Sequence, residues 1–243
     1  MKRILKFAAI FLLAACLSSC LDTREEIWIA ADSSGAARIN VSIPAAAAAL
    51  HGGEEGVKEL IEEYIAETPA ITSHVLATET GEGRLFVDLT LTFADALDLL
   101  ASTSAETREN LPPAGAELMG KSEVGFHGLS VDFSRTVDLS KAVPGAILIP
   151  QRQLEGHSLT TIIHLPKAAS SHNATATADA GRTLIWETTL AQAFKEPVVT
   201  AFTMPIPIPW TLISLLALLA LILASTLFVY LRRRKRISMA MPR

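Results

Sequence analysis

The chain has 243 residues, half of them hydrophobic, and a formal net charge of −4 at pH 7. Nine of its 21 Lys and Arg residues sit near the two ends, so the middle holds 12 cations against all 25 acidic residues, a net of −13. An acidic segment of this kind gains nothing from counterion release at phosphates, which argues against a nucleic-acid partner.

Lys2, Arg3 and Lys6 precede an apolar run over 7–15, and small residues and cysteine follow. This is the n-region and h-region of an export signal, too short to span a bilayer. Leu17-Ser18-Ser19-Cys20 resembles the lipobox of bacterial lipoproteins. The resemblance implies that segment 1–19 is removed and that Cys20, diacylated on its thiol, becomes the mature N-terminus. Leu13-Ala14-Ala15-Cys16 is an overlapping alternative. The chain's 2 cysteines both lie here, so no disulfide is available to the exported middle.

Segment 20–204 reads as one extracytoplasmic domain. Ile27, Trp28 and Ile29, a turn at Asp32-Ser33-Ser34-Gly35 and the alternation Ile39, Val41, Ile43 predict a hairpin. Val57, Leu60, Ile61, Tyr64 and Ile65 recur at helical spacing with glutamates opposite, so an amphipathic helix ends before Pro69. A second hairpin follows over 71–79 and 84–92, then a short helix through Leu100. Segment 102–120, with Pro112-Pro113, reads as a long connection. Segment 123–137 reads as one or two strands with a bulge at Gly128, where the alternation slips phase. Further strands are expected over 158–165, 175–178, 183–189 and 197–203. The expected fold class is α+β: an antiparallel sheet of β-hairpins with one or two helices packed on one face.

Pro205, Pro207 and Pro209 alternate, so 205–210 reads as a stiff stalk. Segment 211–231 then holds 21 residues without a charge, about 31 Å as a helix, and is expected to form a single transmembrane helix. Trp210 and Tyr230 fit an interfacial belt, and Arg232, Arg233, Arg234, Lys235 and Arg236 open a basic tail, 232–243, held inside by the positive-inside rule. The implied location is the cytoplasmic (inner) membrane, single-pass, with the N-terminal domain outside and the C-terminus in the cytoplasm. The chain would then have two membrane tethers, the acyl group on Cys20 and this helix.

Late in the domain stand Ile163-His164-Leu165-Pro166, His172-Asn173-Ala174-Thr175 and Gly181-Arg182-Thr183-Leu184-Ile185-Trp186. With the lipobox, the hairpins and the C-terminal apolar run, this layout resembles the LppM-type bacterial envelope lipoproteins. The resemblance implies a mixed α/β envelope-surface domain in contact with envelope lipids or glycolipids. It carries over no catalytic residue.

The six histidines are scattered, and none shows zinc-site spacing with a second His or a Cys, so no metal or cofactor is expected. His164 and His172 flank a turn and read as surface residues. His127, Ser130 and Asp132 lie in one strand-like run, where side chains project in parallel rather than converge as a triad. Trp28 and Trp186 read as core aromatics and the helical glutamates as a solvated face. The expected function is therefore non-enzymatic: a membrane-anchored envelope lipoprotein that binds a lipid, glycolipid or protein partner. The alternatives are an accessory subunit of a membrane protein complex and an envelope hydrolase. Mass spectrometry of the mature N-terminus is expected to find a diacylated Cys20, whereas an unmodified chain still carrying Met1 contradicts the lipoprotein reading.

Overall fold

The computed structural model describes residues 22–49, 51–102, 120–142, 152, 154–207 and 210–239. Cys16, Cys20 and the connection over 103–119 lie outside the described residues. The chain divides into two units, Met1–Ile206 and Pro207–Arg243.

The first unit opens with β1 (Asp22–Ile29) and β2 (Gly35–Pro44), antiparallel from Asp22↔Ser42 to Ile29↔Gly35. Asp32 organises their turn, its Oδ1 accepting from the Ser34 amide at 3.2 Å and the Ser34 hydroxyl at 2.7 Å. Helices α1 (Ala45–Ala49) and α2 (Gly53–Ala66) follow, then β3 (Ile71–Gly81), β4 (Arg84–Phe93) and α3 (Ala96–Ser102). Glu82 and Gly83 both have positive φ, the two-residue turn whose twist suits a hairpin. The later half supplies β5 (Lys121–His127), β6 (Ser130–Val137), α4 (Leu139–Ala142), β7 (Ser158–His164), β8 (Ser171–His172), β9 (Ala176–Ala178), β10 (Thr183–Thr189), α5 (Leu190–Ala193) and β11 (Val198–Pro205).

The strands build two sheets, one of seven in the order β3-β4-β2-β1-β7-β10-β9 and one of four in the order β5-β6-β11-β8. This corrects the expected α+β fold with one antiparallel sheet. The described chain is mostly β, with few helices. Most pairings are antiparallel, but β1 runs parallel to β7 from Thr23↔Leu159 to Trp28↔His164. The expected bulge at Gly128 is a turn: His127 pairs with Ser130, and Gly128 takes φ 61° between them. The phase slip in the sequence marks the change of strand.

One face of the seven-stranded sheet is covered in two parts. Strand β4 alternates strictly, and its inward Leu85, Val87, Leu89, Leu91 and Phe93 are buried. Val57, Ile61, Tyr64 and Ile65 of α2 pack there, with Ala48 of α1. Across the other half of the same face, Ile163, Leu184 and Trp186 meet Phe133, Phe202 and Met204 of the four-stranded sheet. Ile27 of β1 touches both clusters. The second sheet therefore does over β7 and β10 what the helices do over β2 and β4. Sequence periodicity shows each strand's buried side but not which layer buries it.

Two polar links fix the layers in register. Asn173, between β8 and β9, accepts the Trp186 indole N–H at 2.7 Å and the Ala201 amide at 2.8 Å on Oδ1, and donates to the Val199 carbonyl at 2.8 Å. Arg135 of β6 reaches across to both carboxylate oxygens of Glu25 at 2.9 and 2.7 Å. Both groups of that pair are mostly shielded from solvent, so it is less screened than a surface pair.

The second unit is dominated by α6 (Trp210–Met239), 30 residues that run on through the basic block instead of ending at Leu231. No helix among the described residues is long and apolar enough to cross a membrane. This corrects the expected single-pass transmembrane helix over 211–231 and, with it, the inner-membrane topology. The described side chains, 213–227, are exposed apolar and small residues. The side chains of Trp210, Tyr230, Arg232, Arg233, Arg234, Lys235 and Arg236 lie outside the described residues.

Asn173→Ala leaves the Trp186 N–H and the Ala201 amide without their acceptor, at a cost of about 2–4 kcal/mol. Trp186→Phe removes one of the two bonds and keeps most of the ring, costing about 1 kcal/mol. Urea unfolding followed by circular dichroism should rank the two variants in that order.

Candidate functional site

Among the described residues, the opposite face of the seven-stranded sheet is left open. With Ile27 inward, alternation turns Asp22, Arg24, Glu26 and Trp28 of β1 outward. Their neighbours by register are Arg38, Asn40 and Ser42 on β2, and Phe86 and Asp88 follow on β4. A groove of about 680 Å³ lies on this face, lined by Arg24, Asn40, Glu79, Phe86, Asp88 and Thr160 among others.

Paired charges fix the polar side chains of this face, in the groove and beside it. Arg38 of β2 binds Asp88 of the neighbouring β4 through Nε at 3.2 Å and Nη2 at 2.5 Å. At one end, Asp22 accepts from the Ser158 amide at 3.2 Å and faces His157 Nδ1 at 2.9 Å, and Arg84 lies 3.8 Å away. At the other, Arg24 and His164 converge on Glu26 at 3.2 and 2.9 Å. His164 Nδ1 sits 3.0 Å from the Thr183 hydroxyl, which donates to Asp179 at 2.6 Å. Trp28 stacks on the His164 ring, centroids 5.2 Å apart and planes within 6°. The His164 bond holds the Glu26 carboxyl below the usual carboxylate range, against the opposing effect of burial. The Arg38 guanidinium does the same for Asp88.

The two tryptophans therefore part company. Trp186 is a core aromatic, as expected, but Trp28 is 39 % exposed on the open face. His164 and His172 fall in different sheets and do not meet. His127 and Asp132 do meet, Nδ1 to Oδ2 at 2.5 Å, because the chain turns back between them. Asp132 also accepts from Thr203 at 2.6 Å, and the two bonds, Thr203's first, keep its carboxyl low. The imidazole is 81 % exposed. The helical glutamates are more than a solvated face: Glu54 accepts from Thr78 and Thr80 at 2.8 and 2.7 Å, and Glu62 faces His74 at 2.8 Å. These contacts pin α2 to β3. Among the described residues no group of three or more His, Cys, Asp or Glu could hold a metal ion.

Fold and groove together define a mostly β, two-sheet domain with one charged sheet face that the described residues leave uncovered. Among solved structures the chain is similar to the NMR structure of the folded domain of Mycobacterium tuberculosis LppM. The match has 15 % identity, covers 79 % of this chain and 94 % of that one, and has a TM-score of 0.46, a distant likeness. No family model and no curated protein matches the chain.

Glu26 and Asp88 are both favoured as carboxylates in the folded state. A group with a lowered folded pKa stabilises fully above its unfolded pKa, and that contribution is lost as pH falls toward the folded value. The melting temperature is therefore expected to fall on acidification below about pH 5. Glu26→Gln should flatten part of that acid slope in thermal melts across pH. An unchanged slope contradicts the assignment.

Proposed function

We propose that the domain is a non-enzymatic envelope lipoprotein module that holds a polar lipid or glycolipid headgroup on the open face of the seven-stranded sheet, tethered through Cys20. The groove carries this reading. It offers guanidinium, carboxylate, amide and hydroxyl groups on adjacent strands, with Phe86 41 % exposed among them. Binding sites combine a few placed polar groups with apolar area, and a sheet face supplies both from a rigid scaffold. A headgroup rich in hydroxyls matches alternating donors and acceptors spaced at one strand, about 4.8 Å.

The test is extraction of the full chain in mild detergent, with mass spectrometry of whatever lipid or glycolipid is retained. Arg24→Ala combined with Phe86→Ala should weaken retention about tenfold, roughly 1.4 kcal/mol. Both side chains are part-exposed, so the melting temperature should hardly move. Absence of any retained lipid or glycolipid, or equal retention by the variant, overturns the proposal.

A further inference from the structure

Three hairpin turns of the first unit differ in what they show to solvent. The β1–β2 turn presents Asp32, Ser33 and Ser34, and the β3–β4 turn presents Glu82 and Gly83. Polar residues of this kind are the ordinary choice at a turn. The β5–β6 hairpin instead presents Leu129, 66 % exposed, in its turn, and Phe126, 58 % exposed, at the adjoining end of β5. Gly128 at φ 61° permits the tight reversal, and Leu129 follows it at the apex. Gly128 has nothing within 4 Å of where a Cβ would stand, so space is open around the apex.

The position of this tip supplies the second observation. The Ile206 amide donates to the Leu129 carbonyl at 2.8 Å, and Pro205 pairs with Ser130. The apolar turn is thus bonded to the last residues of the first unit, where the chain leaves for α6. Lys167 donates to the Ile206 carbonyl at 3.3 Å, placing a cation beside the tip. An aromatic and a leucine flanked by an ammonium is the composition of a segment that rests at a lipid headgroup boundary. The same end also carries the Asp132 carboxylate, already engaged by Thr203 and His127.

We infer that the β5–β6 turn is a lipid-surface contact, with Phe126 and Leu129 entering the headgroup region of a bilayer at the end of the domain where α6 departs. The contact is separate from the sheet groove and stands whether or not the groove holds a headgroup. The full chain carrying Phe126→Trp is mixed with vesicles of phosphatidylcholine and phosphatidylglycerol, with and without acyl-chain bromination. The emission added over the parent chain should shift to the blue and be quenched by the brominated lipid. Leu129→Trp, at an equally exposed site, serves as a second reporter should the first variant fold poorly. Adding Leu129→Asp to the Phe126→Trp chain should abolish the quenching without lowering the melting temperature. Water-like emission that bromination leaves untouched overturns the inference. A blue shift without lipid quenching also overturns it, since it marks a protein contact at the tip.

Discussion

Asn173 is the residue on which the two-layer arrangement depends. Its side chain uses one oxygen and one nitrogen to join the indole of Trp186 in the large sheet to two backbone groups on one edge of β11 in the small one. Apolar burial brings the sheets together but does not choose among nearby registers, because hydrophobic contact has no direction. A buried indole N–H does choose, since leaving it unpaired is costly. Phe202 then packs 6.5 Å from Trp186 and 5.1 Å from Phe133. Where Asn173 holds, Leu184 and Met204 are sealed between the layers.

Covering one face of the large sheet in two parts has a functional result. Helices and the small sheet share the inner face, and neither reaches round to the outer one. The outer face can then carry charge at no cost to the core. Ion pairs on it are solvated and individually weak, so they act by orienting side chains more than by stabilising the fold. A face organised in this way offers fixed donors and acceptors without a deep cavity.

Most individual elements were legible in the residues, because alternation in β4 and helical spacing in α2 are local signals. β10 falls where the run Thr183 to Thr189 predicts it. Assembly was less legible. The parallel pairing of β1 with β7 joins segments that nothing local connects, and the second sheet is invisible until β6 and β11 pair. The groove shares that fate: Arg24, Asn40 and Asp88 become neighbours only through register. One signal was present, the outward period-two series Asp22, Arg24, Glu26 in a strand that lies at the centre of its sheet. Trp28 reads as core in the sequence because it stands between Ile27 and Ile29, which are part-buried on the other side. For the C-terminal segment, counting uncharged residues overstated what the described helix supports.

The placement of β1 bears on how such a chain acquires its fold. Asp22–Ile29 pairs with β2 at once, but its other side waits for Ser158–His164, with partners such as Thr23 and Leu159 standing 136 positions apart. A chain that emerges from its N-terminus must therefore hold β1 as a temporary sheet margin while most of the domain is still arriving. Unpaired margins recruit other chains, and charged residues are the common defence against it. Asp22, Arg24, Glu25 and Glu26 give this interior strand the composition of an edge. In the finished fold Asp22, Arg24 and Glu26 furnish the outer face, while Glu25 turns inward to Arg135; together the four suit a strand that is a margin before it is interior.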